Sequence, residues 1–217
     1  MSAGPNPAVG VPAAHQAPFQ PWTGALPEPG LMALLAGRRN TSPRRLSEPG
    51  PDARVLTVLM EAAVTAPDHG LLVPWHFILI PKEARQALGG AFASALIERD
   101  PGATEVQTTV AAEKAERAPC LLVAIMHADD GASGITDQER LVSLGCAIQN
   151  ILLAATSMGF ASGLTSGRSL GSNAVRSLFG LEPHQRAICF IALGTSSVPP
   201  RERQRPDPDS VLRVLFA

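Results

Sequence analysis

The sequence contains no tyrosine, and aromatic residues make up only 4% of its 217 positions. The core must therefore be built mainly from Ala, Leu, Val and Ile, which the apolar share of 45% can supply. Lysine and arginine (18) nearly balance aspartate and glutamate (19), and no basic stripe runs along the chain. This balance argues against nucleic acid as the main partner. The length suits one large domain or two small ones.

Cysteine is also scarce. Cys120, Cys146 and Cys189 each lie in an apolar run. An odd, scattered set of this kind indicates reduced thiols in the cytoplasm, not a disulfide framework. No apolar run reaches the roughly 20 residues of a membrane helix, and no charged start precedes an apolar signal core. A cytoplasmic protein that does not enter a membrane is therefore expected.

Two nucleotide-binding loops are absent from the sequence, the G-x-G-x-x-G fingerprint and the P-loop. A nucleotide cofactor, if one binds, must be held in another way. Asp68, His69 and His76 suggest a metal or acid-base cluster, but no zinc-ligand spacing is met. We therefore predict no metal site, and expect His69 to be a hydrogen-bonding residue at the rim of a ligand site.

The chain divides once, near residue 30. Residues 1–30 are rich in Pro, Ala and Gly with almost no charge, which predicts a flexible arm. Residues 31–217 show no composition break or repeat and predict one α+β domain. The apolar periodicity predicts helices over Leu31–Gly37, Asp52–Ala66, Glu83–Arg99, Thr104–Arg117, Thr136–Met158 and Asn173–Phe179, strands over His76–Ile80, Leu121–Met126 and Ile188–Leu193, and a short strand or loop over Phe160–Ser166.

The helix that begins after Thr136 is the most unusual of these elements. Thr136 and Glu139 form a capping-box pattern at its start. From Leu144 onward it is small or apolar nearly all round, interrupted only by Gln149 and Asn150. A helix apolar on every side is buried on every side, at the centre of a domain or in a dimer interface. The helix over Thr104–Arg117 has few large apolar groups, which predicts a mobile lid or a surface flank.

The segment from Ala66 to Phe77 joins a helix to a strand through a compact loop. Pro67 ends the preceding helix, because the residue before a proline is pushed out of the helical region, and Pro74 prevents a helix from continuing. Loops held between rigid elements commonly display binding groups. The alternative is a tight corner in which Trp75 fills a gap.

Residues Gly167–Gly171 match the G-x-S-x-G nucleophile elbow, with Ser169 as the candidate nucleophile. An α/β-hydrolase needs an acid and then a histidine after the serine. The only later histidine is His184, fifteen residues on, with no Asp between. That spacing leaves no room for the remaining strands, so a serine hydrolase is the less favoured interpretation.

In their order and spacing, these pieces resemble the nitroreductase family of FMN-dependent oxidoreductases, especially its short bacterial members. The resemblance covers roughly Leu31 to the C-terminus. Its carriers are Arg38-Arg39, the corner from Ala66 to Phe77, Gly145-Cys146-Ala147 in the long helix, Gly159-Phe160, Leu193-Gly194-Thr195 and Arg203-Gln204-Arg205-Pro206. No single one of these motifs is diagnostic.

The resemblance implies a homodimer with a three-layer α+β fold, in which helices flank a central sheet and the long central helix lies at the dimer interface. Each of two interface clefts would hold one FMN. The residues that the resemblance assigns to FMN are Arg38, Arg39 and Asn40 from one subunit, Thr65 and His69 from the other, Leu164, Thr165 and Ser166 along the flavin, and Arg203 and Arg205 at its phosphate.

The activity that the resemblance implies is hydride transfer from NADH or NADPH through the flavin to a nitro compound, a quinone or a similar small acceptor, with no protein acid, base or nucleophile. The sequence departs from the family at Asn40, where serine is usual, at Val73, where a polar residue is common, and at Leu164-Thr165, where some members have Trp-Arg. These departures motivate one further alternative, a flavin-binding storage or sensor protein with little turnover.

Overall fold

The strand that follows Pro119 is apolar on both faces, and the fold explains why. The computed structural model describes residues 29–129, 131, 133–198 and 204–215. Strand β2 (Cys120–His127) lies between β1 (Trp75–Leu79) and β4 (Gln185–Gly194), and β3 (Ala161–Thr165) pairs with the other side of β4. All three pairings are antiparallel.

Six α-helices accompany the sheet in the described residues. They are α1 (Pro29–Gly37), α2 (Ala53–Ala63), α3 (Arg85–Arg99), α4 (Glu105–Ala112), α5 (Asp137–Ser157) and α6 (Asn173–Leu178). These helices and strands belong to a compact unit, Pro29–Pro200. The C-terminal segment 204–215 contains a 3-10 turn at Pro208–Val211.

Side chains alternate along β2 between two cores. Leu122 and Ala124 face a core shared with α2 and α5, while Leu121 and Val123 face a second core on the α3 side. Because helices cover both faces, this strand shows no alternation of apolar and polar residues. The three-layer α+β fold predicted from the sequence is confirmed.

Side-chain caps hold the starts of two helices, and one of these caps was predicted. The side chain of Asp52 accepts a hydrogen bond of 2.8 Å from the Val55 amide, so Asp52 caps α2. Thr136 and Glu139 form the predicted capping box of α5, with the Thr136 amide donating to Glu139 Oε2 at 2.9 Å. The start of the longest helix is thus encoded locally.

One side of α5 is left uncovered by the described residues. Leu144 and Ile151 are fully buried, but Leu141 is 47% and Val142 66% exposed, and Gly145 is also exposed. Leu141 and Val142 precede Leu144, where the apolar segment begins. The exposure of Gly145 leaves the burial predicted from Leu144 onward incomplete in the single chain, and the position of α5 in a dimer interface stays a prediction. By length and composition α5 could also cross a membrane, but core helices pass the same test, and α5 packs on α2 and the sheet as a core helix does.

The polar segment predicted as a lid or a flank is a packed flank. Helix α4 ends at Ala112 and continues as a 3-10 turn, Glu113–Glu116. Ala111 and Ala115 are buried. Gly89 of α3 makes the close approach possible, because a Cβ there would lie 3.0 Å from the Ala112 carbonyl oxygen.

Candidate functional site

The chain that follows α1 is fastened to the edge strand β3. The Leu164 amide donates a 2.8 Å hydrogen bond to Asn40 Oδ1, and the Thr41 amide donates one of 2.8 Å to the Ser162 carbonyl. Gly163 permits this contact, since a Cβ there would lie 2.0 Å from the Thr41 carbonyl oxygen. The contact brings the predicted residues 38–40 and 164–166 into one region.

The arginine pair lies at the C-terminal end of α1, and both side chains are half-buried. The Arg39 guanidinium donates hydrogen bonds to the Ala36 carbonyl and, at 3.2 Å, to the Arg38 carbonyl. Cations at a helix C-terminus interact favourably with the carbonyl end of the helix dipole. The fold therefore concentrates positive charge beside β3.

The predicted residues of β3 divide between the two faces of the sheet. Leu164 pairs with Ile191 and so lies on the face of the core shared with α2 and α5. The side chain of Leu164 is 37% exposed. Ser162 is buried, and its Oγ has no hydrogen-bond partner in the described residues. Thr165 instead pairs with Phe190 of the core on the α3 side.

The corner after α2 is a strained loop held by hydrogen bonds. The Asp68 carboxylate accepts a 2.6 Å hydrogen bond from the Val73 amide. Leu71 (φ 55°) and Val73 (φ 45°) both have positive φ, which is unfavourable for residues of this bulk. Trp75 is buried and donates to Ser143 Oγ at 2.9 Å. The loop thus combines a filled gap at Trp75 with an exposed His69.

Helix α5 positions both predicted residues of this corner. Asn150 Nδ2 donates to Thr65 Oγ1 at 3.1 Å and to the Ala62 carbonyl at 3.2 Å. His69 Nδ1 shares a 2.9 Å hydrogen bond with Glu139 Oε1. The Thr136 amide, His69 and the Thr136 hydroxyl together lower the pKa of Glu139 to about 2. Sequence analysis did not assign Asn150 or Glu139 to the site, although one interrupts an apolar helix and the other belongs to its capping box.

The predicted site residues therefore form two groups within one chain. Arg38, Arg39 and Asn40 lie with Leu164–Ser166 beside β3, whereas Thr65 and His69 lie against α5. Arg205 is exposed in the C-terminal segment, and Arg203 lies outside the described residues.

The arrangement around Ser169 does not support the serine hydrolase. Ser169 lies in a 3-10 turn, Arg168–Gly171, and Gly167 before it is fully extended (φ −172°), unlike a strained elbow. In the described part of the chain no histidine is hydrogen-bonded to Ser169, and His184 contacts the ring of His127 instead.

The histidine at the start of β1 has a partner that the sequence did not suggest. His76 Nδ1 and His127 Nε2 share a 2.8 Å hydrogen bond. Burial lowers the pKa of both imidazoles, and for His127 the neighbouring histidines and Arg140 lower it further. Within the described ranges no three His, Cys, Asp or Glu side chains are arranged to hold a metal ion.

The family model described as "Nitroreductase family" matches residues 35–195. This range includes the arginine pair, the corner, α5 and β3. The chain belongs to the nitroreductase family. Membership in this family supports an oxidoreductase.

Two curated members of the nitroreductase family show the sequence similarity. The chain is 34% identical over 164 residues to a Haemophilus influenzae protein provisionally named as an NAD(P)H nitroreductase, covering 76% of this chain and 87% of that protein. It is 30% identical over 164 residues, with the same coverage, to Escherichia coli YdjA, which carries the same provisional name.

Solved nitroreductase structures share the fold. A nitroreductase-like family protein from Bacillus cereus superposes with a TM-score of 0.75 at 19% identity, covering 89% of this chain and all of that one. NfnB from Sphigopyxis sp. strain HMH, named as an FMN and NADPH-dependent nitroreductase, superposes with a TM-score of 0.67 at 20% identity, covering 86% and 99%.

Proposed function

We propose that this nitroreductase-family chain is an FMN-dependent oxidoreductase that takes hydride from NADH or NADPH and reduces a nitro compound, a quinone or a similar small acceptor. The observation that carries the proposal is the hydrogen bond between the Leu164 amide and Asn40 Oδ1. It joins two segments that the family resemblance assigns separately to the flavin. The names of the two curated relatives support the nicotinamide donor.

The residues of this region suit FMN in charge and polarity. A phosphate needs charge-assisted donors, and the forked guanidinium groups of Arg38 and Arg39 are of that kind. A planar apolar ring needs an apolar contact with a few polar groups, which the exposed side chain of Leu164 and the neighbouring Ser166 offer. We assign Arg203 and Arg205 to the same phosphate. When bound, FMN supplies the hydride and electron transfer chemistry.

The second group of site residues supports a homodimer. Thr65 and His69 are exposed, and around them lie apolar side chains with high exposure: Val64 66%, Leu71 88%, Val73 47% and Val142 66%. An apolar patch of this kind marks an interaction surface. We propose that a second copy of the chain covers it, so that Thr65 and His69 of one subunit complete the cleft formed by residues 38–40 and 164–166 of the other.

Three further assignments belong to this proposal. The predicted arm is assigned to residues 1–30, of which 1–28 lie outside the described residues and Pro29 and Gly30 belong to α1, and the flavin-binding domain is assigned to residues 31–217. The protein acts in the cytoplasm on small molecules. The storage or sensor alternative differs in turnover: rapid NADH or NADPH oxidation with a quinone acceptor would exclude it, whereas flavin binding without turnover would favour it.

The decisive experiment is an absorption spectrum of the purified protein after FMN has been added and the excess removed. The proposal expects retained flavin in a dimer by sedimentation. Arg38→Ala with Arg203→Ala should weaken FMN binding by at least about tenfold, because a hydrogen bond to a charged group contributes roughly 1.5–3 kcal/mol. Arg54→Ala, on the exposed side of α2, is the matched control. A protein that never retains flavin refutes the function, and a monomer that retains it refutes the shared cleft.

A further inference from the structure

The end of β2 borders a cavity that combines histidine and arginine side chains. The cavity has a volume of about 300 Å³, the lower limit of ordinary ligand pockets. Leu72 and Pro74 from the corner form an apolar part of its lining. The charged and polar part of the lining consists of His127, Ser133, Arg140 and His184. None of the described residues assigned to the flavin lines this cavity, so it is a separate region of the protein.

Arg140 gives the cavity a positive charge that does not depend on pH. Its side chain is only 5% exposed, and its guanidinium donates to the Ile135 carbonyl at 2.9 Å and to the His127 carbonyl at 3.2 Å. Nη2 donates to Ser133 Oγ at 2.7 Å and to the Asp129 carboxylate at 3.3 Å. Arg140 lines the cavity and Asp129 does not, so the nearer charge is positive. Such a lining repels a metal ion and attracts an anion.

Two further groups in the lining are available to a ligand. Ser133 Oγ accepts hydrogen bonds from Arg140 and, at 3.2 Å, from the Ile135 amide, so its hydroxyl proton has no acceptor among the described residues. The His184 ring is exposed and meets the ring of His127 edge to face, with centroids 5.9 Å apart. The same ring makes no hydrogen bond with the described part of the chain. Both groups can therefore donate to a bound molecule.

The hydrogen bonds of His127 determine which of its ring nitrogens carries the proton. Gln185 Oε1 accepts from the Glu182 amide at 3.1 Å, so Gln185 Nε2, which can only donate, is the atom that lies 3.4 Å from His127 Nε2. His76 Nδ1 shares a 2.8 Å hydrogen bond with the same nitrogen. His127 Nε2 is therefore the acceptor, and the proton of the neutral ring lies on Nδ1. This Nδ1 is the donor that His127 can offer to a ligand.

Carboxylates near the cavity already have partners or lie outside its lining. Glu182, in the turn before β4, is exposed and does not line the cavity. The other carboxylates on the neighbouring elements are bound as follows: Asp129 to Arg140 at 3.3 Å, Asp137 to Arg186 at 3.0 Å, Glu139 to His69 at 2.9 Å and Asp68 to the Val73 amide at 2.6 Å. His76, His127 and His184 thus come together with no carboxylate hydrogen-bonded to their rings within the described ranges.

The imidazole of His127 shows the effect of this arrangement. Burial lowers its pKa, and repulsion from His76, His184 and Arg140 lowers it further. A bound anion would oppose that repulsion and stabilise the protonated ring. Anion binding and protonation of the histidines in the lining should therefore strengthen each other.

We propose that this cavity binds a small, doubly charged oxyanion of the sulfate and phosphate class, through His127 Nδ1, the Ser133 hydroxyl and the ring of His184. Arg140 contributes charge alone, because all of its nitrogens already donate to other groups. The small volume and the apolar lining favour a small ion. This ligand is additional to FMN, and its binding does not depend on the proposed reaction.

Sulfate is the most informative probe, because it stays doubly charged between about pH 6 and 8 while histidines titrate. Full-length protein with excess FMN is titrated with sulfate at constant ionic strength, and the ring signals of isotope-labelled histidines are followed by NMR. The signals of His127 and His184 should shift in a saturable way, with an affinity at least about tenfold higher at pH 6 than at pH 8. Neutral dimethyl sulfone, which has the same tetrahedral sulfur, should not shift them.

Variants of single histidines locate the bound ion. His184→Gln changes an exposed side chain and should weaken sulfate binding at about pH 6 by roughly tenfold. His127→Gln should remove most of the pH dependence. His69→Gln is the matched control, since it removes an exposed histidine outside the cavity and should leave the sulfate affinity unchanged.

The source of the oxyanion is tested by comparing inorganic phosphate with glycerol 3-phosphate at one pH. Tighter binding of phosphate assigns the cavity to the free ion, and tighter binding of glycerol 3-phosphate assigns it to an ester; both results support the site. Equal responses to sulfate and the sulfone, an affinity independent of pH, or equal effects of His184→Gln and His69→Gln would overturn the proposal. Release of FMN by sulfate would also overturn it, because the ion would then occupy the place of the flavin phosphate.

Discussion

The contact between β3 and the segment after α1 can be broken by a single methyl group. A Cβ at Gly163 would lie 2.0 Å from the Thr41 carbonyl oxygen, and contacts shorter than 3.0 Å essentially never occur. In Gly163→Ala the carbonyl must retreat by about 1 Å. That shift would stretch the two 2.8 Å hydrogen bonds that hold the segment, Thr41 amide to Ser162 carbonyl and Leu164 amide to Asn40 Oδ1, beyond bonding distance.

The expected loss of stability follows from these contacts. Two hydrogen bonds contribute about 1 kcal/mol each, and overpacking typically costs about 1–3 kcal/mol. The free energy of unfolding of Gly163→Ala should therefore be lower by about 3–5 kcal/mol, a large part of the roughly 5–15 kcal/mol of an ordinary domain. The variant should also bind FMN more weakly, since the two segments that we propose to hold the flavin separate.

Urea denaturation followed by circular dichroism gives the unfolding free energy, and quenching of flavin fluorescence gives the FMN affinity. Gly90→Ala is the matched control, because a Cβ there meets nothing within 4 Å. It replaces glycine within a helix and should stabilise the protein by up to about 1 kcal/mol. If Gly163→Ala matched wild type within about 0.5 kcal/mol and kept its flavin affinity, the proposed fastening of the site by β3 would be refuted.

Three other predictions concern the corner and its neighbours. Asn150→Ala should lower the unfolding free energy measured by urea denaturation by about 1–3 kcal/mol, because it removes the hydrogen bonds to the Ala62 carbonyl of α2 and to the Thr65 hydroxyl just after that helix. The pKa of Glu139 is about 2 in the folded chain and about 4.3 in the unfolded chain, so the Glu139 carboxylate stabilises the fold above about pH 4.3 and this stabilisation is lost as the pH falls towards 2. Glu139→Gln should therefore lose less stability than wild type between about pH 6 and 3. Burial lowers the pKa of His76, so below about pH 6.5 the unfolded chain binds more protons than the folded chain and stability falls. His76→Asn should therefore lose less stability than wild type from about pH 7 to 5.

Each of these predictions has its own control. The side chain of Gln149, next to Asn150, makes no hydrogen bond with the described residues, so Gln149→Ala should change stability less. An equal loss would contradict the role of Asn150. Glutamine keeps the capping box at position 139, and identical pH profiles for Glu139→Gln and wild type would contradict the lowered pKa of Glu139. If the stability of His76→Asn fell as steeply as that of wild type from about pH 7 to 5, groups other than His76 would be responsible for the fall.

Local patterns in the sequence determined most of the helices and strands of this protein. The capping box of Thr136 and Glu139 fixed the start of α5, Asp52 fixed the start of α2, and the apolar run after Pro119 predicted the central strand. These signals depend on neighbours a few residues apart, so they survive without knowledge of the fold. The resemblance to the nitroreductase family rested on other short motifs, among them Arg38-Arg39 and the corner from Ala66 to Phe77, and the match over residues 35–195 confirmed it.

Only the tertiary structure decided which distant residues meet. The pairing of Asn40 with Leu164 joins positions 124 residues apart, and that of His69 with Glu139 joins positions 70 apart. Pairs such as these depend on the register of β3 and the packing of α2 on α5, which no local pattern encodes. The same reason explains the exposed side of α5, because exposure is set by which surfaces the completed fold brings together.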